Sequence, residues 1–200
     1  KENDNHLAWS NHNYGVNMLN TCETNAFLLT EGGDNQVFSL AYLQMVERMR
    51  PDMTVYDQKG NVFEKVYGDL STMSTAQLYN KKRDMDSKNI QTGRPMYATW
   101  RMQQGEDRPP LWQLGDFYFK QFGIMYRVTP IKYKICDILE IYNERPASSF
   151  AADILGEVGG NNDARLKAGL KPIDQPYVDA LIRELERDGL VRRAGGNVRF

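Results

Sequence analysis

The order of apolar and polar positions between residues 25 and 57 predicts a strand, a turn, a helix and a second strand. Residues 26–30 form a short apolar run, which is typical of a strand buried on both faces of a parallel sheet. Residues 54–57 resume an extended pattern after the helix. Two strands joined by a helix in this way predict a right-handed parallel crossover.

The helix of this segment is predicted to begin near Gln36, where the apolar spacing becomes helical. Pro51 predicts its end, because proline disfavours the helical conformation of the residue before it. The apolar residues fall on one stripe, which is the pattern of a helix packed on one face. The stripe consists of Phe38, Tyr42, Met45 and Met49, with Val37 and Ala41 beside it.

The turn between the first strand and this helix is the candidate ligand site. Doubly wound folds bind ligands at the carboxyl ends of their strands, where a helix presents free N–H groups. Glycines permit a positive φ in the turn, and Asp34 or Asn35 is placed to cap the helix. A purely structural turn is the alternative, since neither the full dinucleotide glycine fingerprint nor a phosphate-loop lysine is present. The candidate ligand-binding residues are Glu31, Gly32, Gly33, Asp34, Asn35 and Asp57.

The remaining pattern completes an α/β domain over residues 1–130, for which we expect a Rossmann-like, three-layer fold with a mostly parallel sheet. A third strand is expected to run parallel to the first two, and two further strands to extend one edge of the sheet. Ser74 is the expected cap of the second long helix, and a basic triplet is expected towards the end of that helix. The predicted helices are residues 7–22 and 74–86, the triplet is Lys81, Lys82 and Arg83, and the further strands are residues 94–100, 111–115 and 122–128.

Residues 131–200 predict a small, helical, winged-helix-like part. Helices are expected from Lys132 to before Pro146 and over residues 150–158, and the clearest helix covers residues 176–188. A short hairpin then follows Gly189, and a helix followed by a hairpin is the closing half of a winged-helix module. Acidic residues lie among the arginines of this helix and would repel phosphates, so the sequence does not favour nucleic acid as a partner.

Composition narrows the possible functions. Hydrophobic residues at 41%, charged residues at 26% and a net charge of −1 describe an ordinary globular chain without general attraction to anionic partners. No apolar run approaches the roughly 18 residues needed to span a bilayer. His6 and His12 lie together near the start, so no metal site or cofactor is expected. Cys22 and Cys136 predict buried free thiols, with a single disulfide as the alternative outside the cytosol.

Several short motifs carry a family resemblance. They are the strand start Asn25-Ala26, the turn Gly33-Asp34-Asn35, the helix segment Leu40-Ala41-Tyr42-Leu43-Gln44 and the step Arg50-Pro51-Asp52. These motifs resemble the soluble region of a bacterial family of polytopic membrane proteins, a domain of unknown function assigned to protein O-mannosyltransferase-like glycosyltransferases. The resemblance covers residues 7–69, with weaker similarity to Arg127, and does not extend to the C-terminal part.

The resemblance implies that this chain is an accessory domain rather than an enzyme by itself. In such proteins the catalytic carboxylates are expected in the membrane-embedded part, which uses a polyprenyl-phosphate sugar donor. The domain would lie on the extracytoplasmic (periplasmic) face and serve acceptor recognition or assembly. Its expected partners are the transmembrane part of the parent protein and an acceptor polypeptide or sugar.

Two other classes of function are left open by the residues alone. The first is a free-standing enzyme that binds a nucleotide or sugar nucleotide at the glycine turn. The second is a winged-helix regulator that binds DNA or a protein partner through its C-terminal part.

Overall fold

The computed structural model describes residues 9–30, 33–57, 62–63, 68–69, 71–99, 116–158, 161–167 and 169–200. The chain divides into two compact units. The first comprises residues 1–101 and 120–128, and the second comprises residues 102–119 and 129–200. The predicted division into residues 1–130 and 131–200 stays a prediction. The predicted strand over residues 111–115 lies outside the described residues.

A five-stranded sheet has the order β2-β1-β3-β5-β4. Its strands are β1 (Phe27–Thr30), β2 (Thr54–Asp57), β3 (Met96–Ala98), β4 (Phe117–Phe122) and β5 (Met125–Pro130). As predicted, β1 pairs in parallel with β2, with Thr30 opposite Asp57, and also in parallel with β3.

The sheet is mixed rather than mostly parallel, because β3 pairs with β5 in the antiparallel direction. The strand predicted over residues 122–128 is interrupted by a two-residue turn at Gly123 and Ile124. Gly123 has φ of 59°, which glycine adopts readily. Such tight turns join antiparallel neighbours. The predicted addition at the sheet edge is present as β5 and β4, but the sequence predicted one continuous strand where the chain turns at Gly123.

The described helices that accompany these strands are α1 (Ser10–Thr21), α2 (Asp34–Ala41) and α3 (Thr75–Gln91). One π-helical turn, Tyr42–Val46, continues α2. Ser74 caps α3 as predicted: its backbone N–H and its hydroxyl both donate to Gln77 Oε1 at 3.0 Å. Helix α3 continues to Gln91, so the basic triplet at residues 81–83 lies inside the helix rather than towards its end.

The core of the first unit lies between α1, α2 and the inner strands. Met18 and Leu19 of α1 meet Leu40 of α2 and Leu28 of β1, and all four are fully buried. Cys22 belongs to the same cluster, and burial raises the pKa of its thiol to about 12. Neither Cys22 nor Cys136 forms a disulfide; Cys22 is buried as the sequence favoured, whereas Cys136 is only half-buried.

Two arginines hold the amino ends of β1 and β2. Arg50 donates to the backbone carbonyls of Leu19 at 2.6 Å, Cys22 at 2.9 Å and Glu23 at 2.8 Å. Because a helix leaves its last carbonyls without intrahelical partners, Arg50 satisfies the C-terminal end of α1. Arg94 lies 3.8 Å from the centre of the Phe27 ring and donates to Asn25 O at 2.8 Å.

The second unit contains a three-stranded antiparallel sheet of order β6-β8-β7. The long helix predicted over residues 176–188 is confirmed as α7, with Asp174 as its cap. Helix α6 (Asn162–Lys167) was not predicted from the sequence. The elements are α4 (Tyr133–Tyr142), β6 (Glu144–Pro146), a 3-10 turn (Ala147–Ser149), α5 (Phe150–Glu157), α6 (Asn162–Lys167), α7 (Gln175–Arg187), β7 (Arg192–Ala194) and β8 (Asn197–Arg199).

Helices α4, α5 and α7 form the core of this unit. Ile135, Phe150, Ile154, Val178 and Ile182 are fully buried.

Across the described segments, no helix is both long and apolar enough to cross a membrane.

Candidate functional site

The predicted glycine turn is described from Gly33 onwards, while Glu31 and Gly32 lie outside the described residues. Gly33 is the N-cap of α2 and has φ of −68°, so this glycine does not supply a positive φ. The predicted cap was wrong, because α2 begins at Asp34 and no side chain caps it. The Asp34 carboxylate instead lies in the first turn, where the helix dipole favours negative charge.

Asp57 is placed at the same edge of the sheet as this turn, because β1 and β2 are parallel and Thr30 lies opposite Asp57. The side chains have different exposure, however. Asp34 and Asn35 are exposed, whereas Asp57 is fully buried and accepts a hydrogen bond from the Val62 backbone N–H at 3.3 Å. The structure therefore places the described candidate residues near one edge of the sheet but gives Asp57 a partner within the protein.

Helix α2 buries a different face from the one that the sequence predicted. Its buried residues are Val37, Leu40 and Ala41, and Leu43 of the π-helical turn is buried with them. The predicted stripe points largely to solvent: Phe38 is 59% exposed, Tyr42 is 50% exposed and Met45 is 61% exposed. Met49 is the exception, since it packs against the core. Large aromatic residues are therefore presented at the surface of α2.

These side chains line an open cleft of about 330 Å³ between α1 and α2. The cleft, which we call the aromatic cleft, is lined by Trp9, His12, Phe38, Ser39 and Tyr42. Trp9 immediately precedes α1 and is also more than half exposed. Aromatic walls with a few polar groups are the usual lining of a small-molecule site.

Side-chain contacts within the first unit hold one wall of the aromatic cleft in place. The Trp9 and His12 rings meet edge to face, with centroids 5.0 Å apart. His12 Nε2 lies 3.1 Å from Glu47 Oε1, which links α1 to the residue that follows the π-helical turn. The His12 ring is thus fixed between an aromatic neighbour and a carboxylate.

The aromatic cleft was not predicted from the sequence. The sequence did contain a signal for exposed aromatic residues: α2 carries two apolar stripes side by side, and only one of them can face the core. The stripe of smaller residues is the buried one. Of the described residues, no group of three or more His, Cys, Asp and Glu could hold a metal ion.

The surface of α7 in the second unit carries both signs of charge. Arg193 pairs with Asp179 at 2.9 Å and with Glu186 at 3.7 Å. Lys132 of the same unit pairs with Asp188 at 2.9 Å and with Glu184 at 3.4 Å. Further exposed arginines lie on α7 and the following hairpin, namely Arg183, Arg187, Arg192 and Arg199.

Comparison with known families identifies one similarity. The model of the family described as "TMEM260-associated domain 2" matches residues 11–59, about a quarter of the chain. The matched segment runs from α1 to the end of β2 and overlaps the motifs that resemble the protein O-mannosyltransferase-like family. Searches of curated proteins and of solved structures found no match. Over residues 11–59 the chain is therefore similar to a TMEM260-related family.

Proposed function

We propose that this chain is a non-catalytic, extracytoplasmic accessory domain of a protein O-mannosyltransferase-like membrane protein, where it serves acceptor recognition or assembly. The observation that supports this most is the match of residues 11–59 to a TMEM260-associated domain. In this proposal the catalytic groups belong to the membrane-embedded part of the parent protein. The first unit provides a binding surface.

The geometry of the matched segment suits a binding role. The elements α1, β1, α2 and β2 share one buried core, and exposed side chains of α2 face solvent. The described part of the glycine turn, residues 33–35, follows β1 and opens α2, and we take it as the contact for the acceptor. Asp34 and Asn35 offer exposed polar side chains there, while Asp57 supports the edge from within.

Transfer and binding assays on the purified chain test this proposal. The chain is incubated with a polyprenyl-phosphate-linked sugar and a serine- and threonine-rich polypeptide, and we expect no transfer to the peptide. Binding of the peptide is expected to raise the unfolding temperature, since a ligand at a hundredfold excess over its dissociation constant stabilises the folded state by about 2.7 kcal/mol. Turnover by the isolated chain would contradict the proposal.

A matched pair of variants tests the part played by the turn. Asp34→Ala removes an exposed carboxylate at the predicted contact, and Asp153→Ala removes an exposed carboxylate from the first turn of α5 in the second unit. We expect the first variant alone to weaken peptide binding. Equal binding by both variants would leave the turn a structural element and restrict the proposed function to assembly.

We also propose that the second unit is related to winged-helix modules. For the first unit we propose a relationship to Rossmann-like domains. The supporting observation for the second unit is its element order, in which a long helix is followed by a hairpin and β6 pairs with β8. Because the α7 carboxylates form ion pairs inside the unit, its surface is mixed rather than basic. A protein partner fits this surface better than duplex DNA.

Fluorescence anisotropy with a labelled DNA duplex tests this second proposal. We expect no binding at moderate salt. Tight binding that falls steeply with salt, and that is lost in an Arg183→Ala and Arg192→Ala double variant, would establish a nucleic-acid interface instead.

A further inference from the structure

We propose that the aromatic cleft binds a neutral pyranose sugar, with one sugar ring stacked on the aromatic side chains and its hydroxyls bonded to the polar groups of α1 and α2. The inference deepens the proposed function and rests on it for its biological role. The described residues of the predicted glycine turn, Gly33, Asp34 and Asn35, do not line this cleft, so the two sites are tested separately.

The exposed aromatic face of α2 does not contribute to the core. Val37, Leu40 and Leu43 already fill the space against α1 and the sheet. Phe38 and Tyr42 lie one helical turn apart and are exposed. Contact between their apolar surface and water is unfavourable. Contiguous exposed apolar surface of this kind marks binding sites more often than chance exposure does.

One wall of the cleft is held by side-chain contacts before any ligand binds. Trp9 meets His12 edge to face at 5.0 Å, and His12 is bonded to Glu47 at 3.1 Å. Phe38 and Tyr42 are anchored by the helical backbone on the facing wall. A site that is already formed loses less conformational entropy on binding, which favours weakly binding ligands such as sugars.

The charge of the lining selects the class of ligand. Among the residues that the structure describes, the cleft is lined by Trp9, His12, Phe38, Ser39 and Tyr42, and none of these five carries a fixed charge. Helix α1, with the sequence SNHNYGVNMLNT, contains no Asp, Glu, Lys or Arg. The exposed amide of Asn13 follows His12 on this helix, with its Oδ1 3.5 Å from His12 Nδ1. Neutral hydrogen-bonding groups beside aromatic rings complement a neutral ligand with hydroxyl edges and an apolar face, and they do not complement a phosphate or a carboxylate.

The size of the cleft agrees with this class of ligand. A cleft of about 330 Å³ lies at the lower end of the range for small-molecule sites. The cleft is open at the surface, so a sugar could enter as one unit of a longer chain. Tyr42 and Ser39 both line the cleft and carry hydroxyl groups that can bond to sugar hydroxyls. Ser39 Oγ also donates to the Asn35 carbonyl at 2.7 Å.

Saturation-transfer NMR and calorimetry on the full chain test the proposal. The probes are maltotriose, cellotriose and α-mannotriose, with inorganic phosphate as the charged comparison. We expect saturation transfer to at least one trisaccharide, and no heat of binding for phosphate, which has no carbon-bound protons and is tested by calorimetry alone. Failure of all three sugars to bind the folded chain would overturn the proposal.

Matched variants locate the binding. Tyr42→Ala is expected to weaken sugar binding about tenfold, as the loss of one stacked ring does elsewhere, and Tyr42→Phe is expected to keep most of the affinity. Tyr142→Ala is the control, because Tyr142 is similarly exposed on α4 of the second unit. Equal weakening by Tyr42→Ala and Tyr142→Ala would overturn the proposal, and circular dichroism confirms that each variant is folded.

Two other occupants are distinguished in the same experiments. A proline-rich peptide that binds the cleft in place of the sugars would make it a polyproline groove. Concentration-dependent dimerisation that Tyr42→Ala abolishes would make the cleft an interface between copies of the chain. Either result, without sugar binding, overturns the inference while leaving the proposed function intact. Sugar transfer by the isolated chain would overturn the proposed function while leaving sugar binding at the cleft intact.

Discussion

Gly15 of α1 lies directly against Leu43 of the π-helical turn that continues α2. A Cβ atom at position 15 would lie 2.6 Å from Leu43 Cδ1 and 3.3 Å from Ser39 Cβ. Both Gly15 and Leu43 are buried. Because Gly15 has no side chain, the two helices can approach closely at this position. Gly15 thereby also affects the distance between the two walls of the aromatic cleft.

Gly15→Ala should destabilise the protein. The added methyl group must displace Leu43 in a packed core, and overpacking of this kind costs about 1–3 kcal/mol. The higher helix propensity of alanine offsets about 1 kcal/mol of that cost. The free energy of unfolding, measured by urea denaturation, gives the net effect.

Gly156→Ala is the control for this change, because Gly156 lies in α5 and a Cβ there would meet no atom within 4 Å. We expect it to stabilise the protein by about 0.5 kcal/mol. A similar gain in Gly15→Ala would mean that Leu43 repacks without cost and that the helix spacing is not set by Gly15.

Arg50→Lys should destabilise the first unit, since lysine cannot reproduce the fork of donors that reaches three carbonyls at the end of α1. Loss of charged hydrogen bonds of this kind costs about 1.5–3 kcal/mol. Arg48→Lys is the control, because Arg48 is also an arginine with positive φ but is exposed. Equal effects of the two substitutions on urea unfolding would show that backbone conformation, rather than the guanidinium contacts, is responsible.

Acid should weaken the contact between Arg50 and Asp52. Hydrogen bonds from the Arg50 side chain and the Asn25 backbone N–H hold the pKa of Asp52 below its usual range. A carboxyl group with a lowered pKa in the folded state stabilises the protein above its ordinary pKa, and this stabilisation is lost as the pH falls. The stability difference between the wild type and Asp52→Asn should therefore shrink between about pH 5 and about pH 2. A constant difference across that range would contradict the assignment.

Asp57 and Asp34 should respond differently to substitution although both belong to the predicted site. Asp57→Ala removes a fully buried acceptor of the Val62 N–H and should cost about 1–3 kcal/mol. Asp34→Ala removes only a favourable interaction with the helix dipole and should cost about 0.5 kcal/mol. Thermal unfolding of the two variants measures the difference, and a large loss in Asp34→Ala alone would reverse the structural roles of the two carboxylates.

Local sequence signals predicted many of the elements correctly. The apolar run before Thr30, the Ser74 cap and the amphipathic pattern of α7 all report on their immediate neighbours, and each predicted its element. Pro51 predicted the end of the helix near Arg50, whereas the helical segment ends earlier, at Val46. The parallel pairing of β1 with β2 and β3 followed from the connecting helices.

The sequence pattern did not show which face of α2 packs against the core or where the chain turns back between β4 and β5. Helix α2 has two apolar stripes, and the choice between them depends on the close contact between Gly15 and Leu43, which periodicity does not reveal. The larger aromatic residues were therefore assigned to the core, although they line the cleft. The turn at Gly123 was also missed, because Phe122, Ile124 and Tyr126 alternate across it as in a continuous strand.

The contacts of Arg50 have a consequence for the order of folding during synthesis. Helix α1 is rich in asparagine and contains a glycine, which makes it a weak helix when isolated. Its last carbonyls find their partner in Arg50, which follows Cys22 by 28 residues along the chain. During synthesis α1 therefore leaves the ribosome before the residue that completes its hydrogen bonds. Its last carbonyls are bonded to Arg50 only when the segment leading into β2 has emerged.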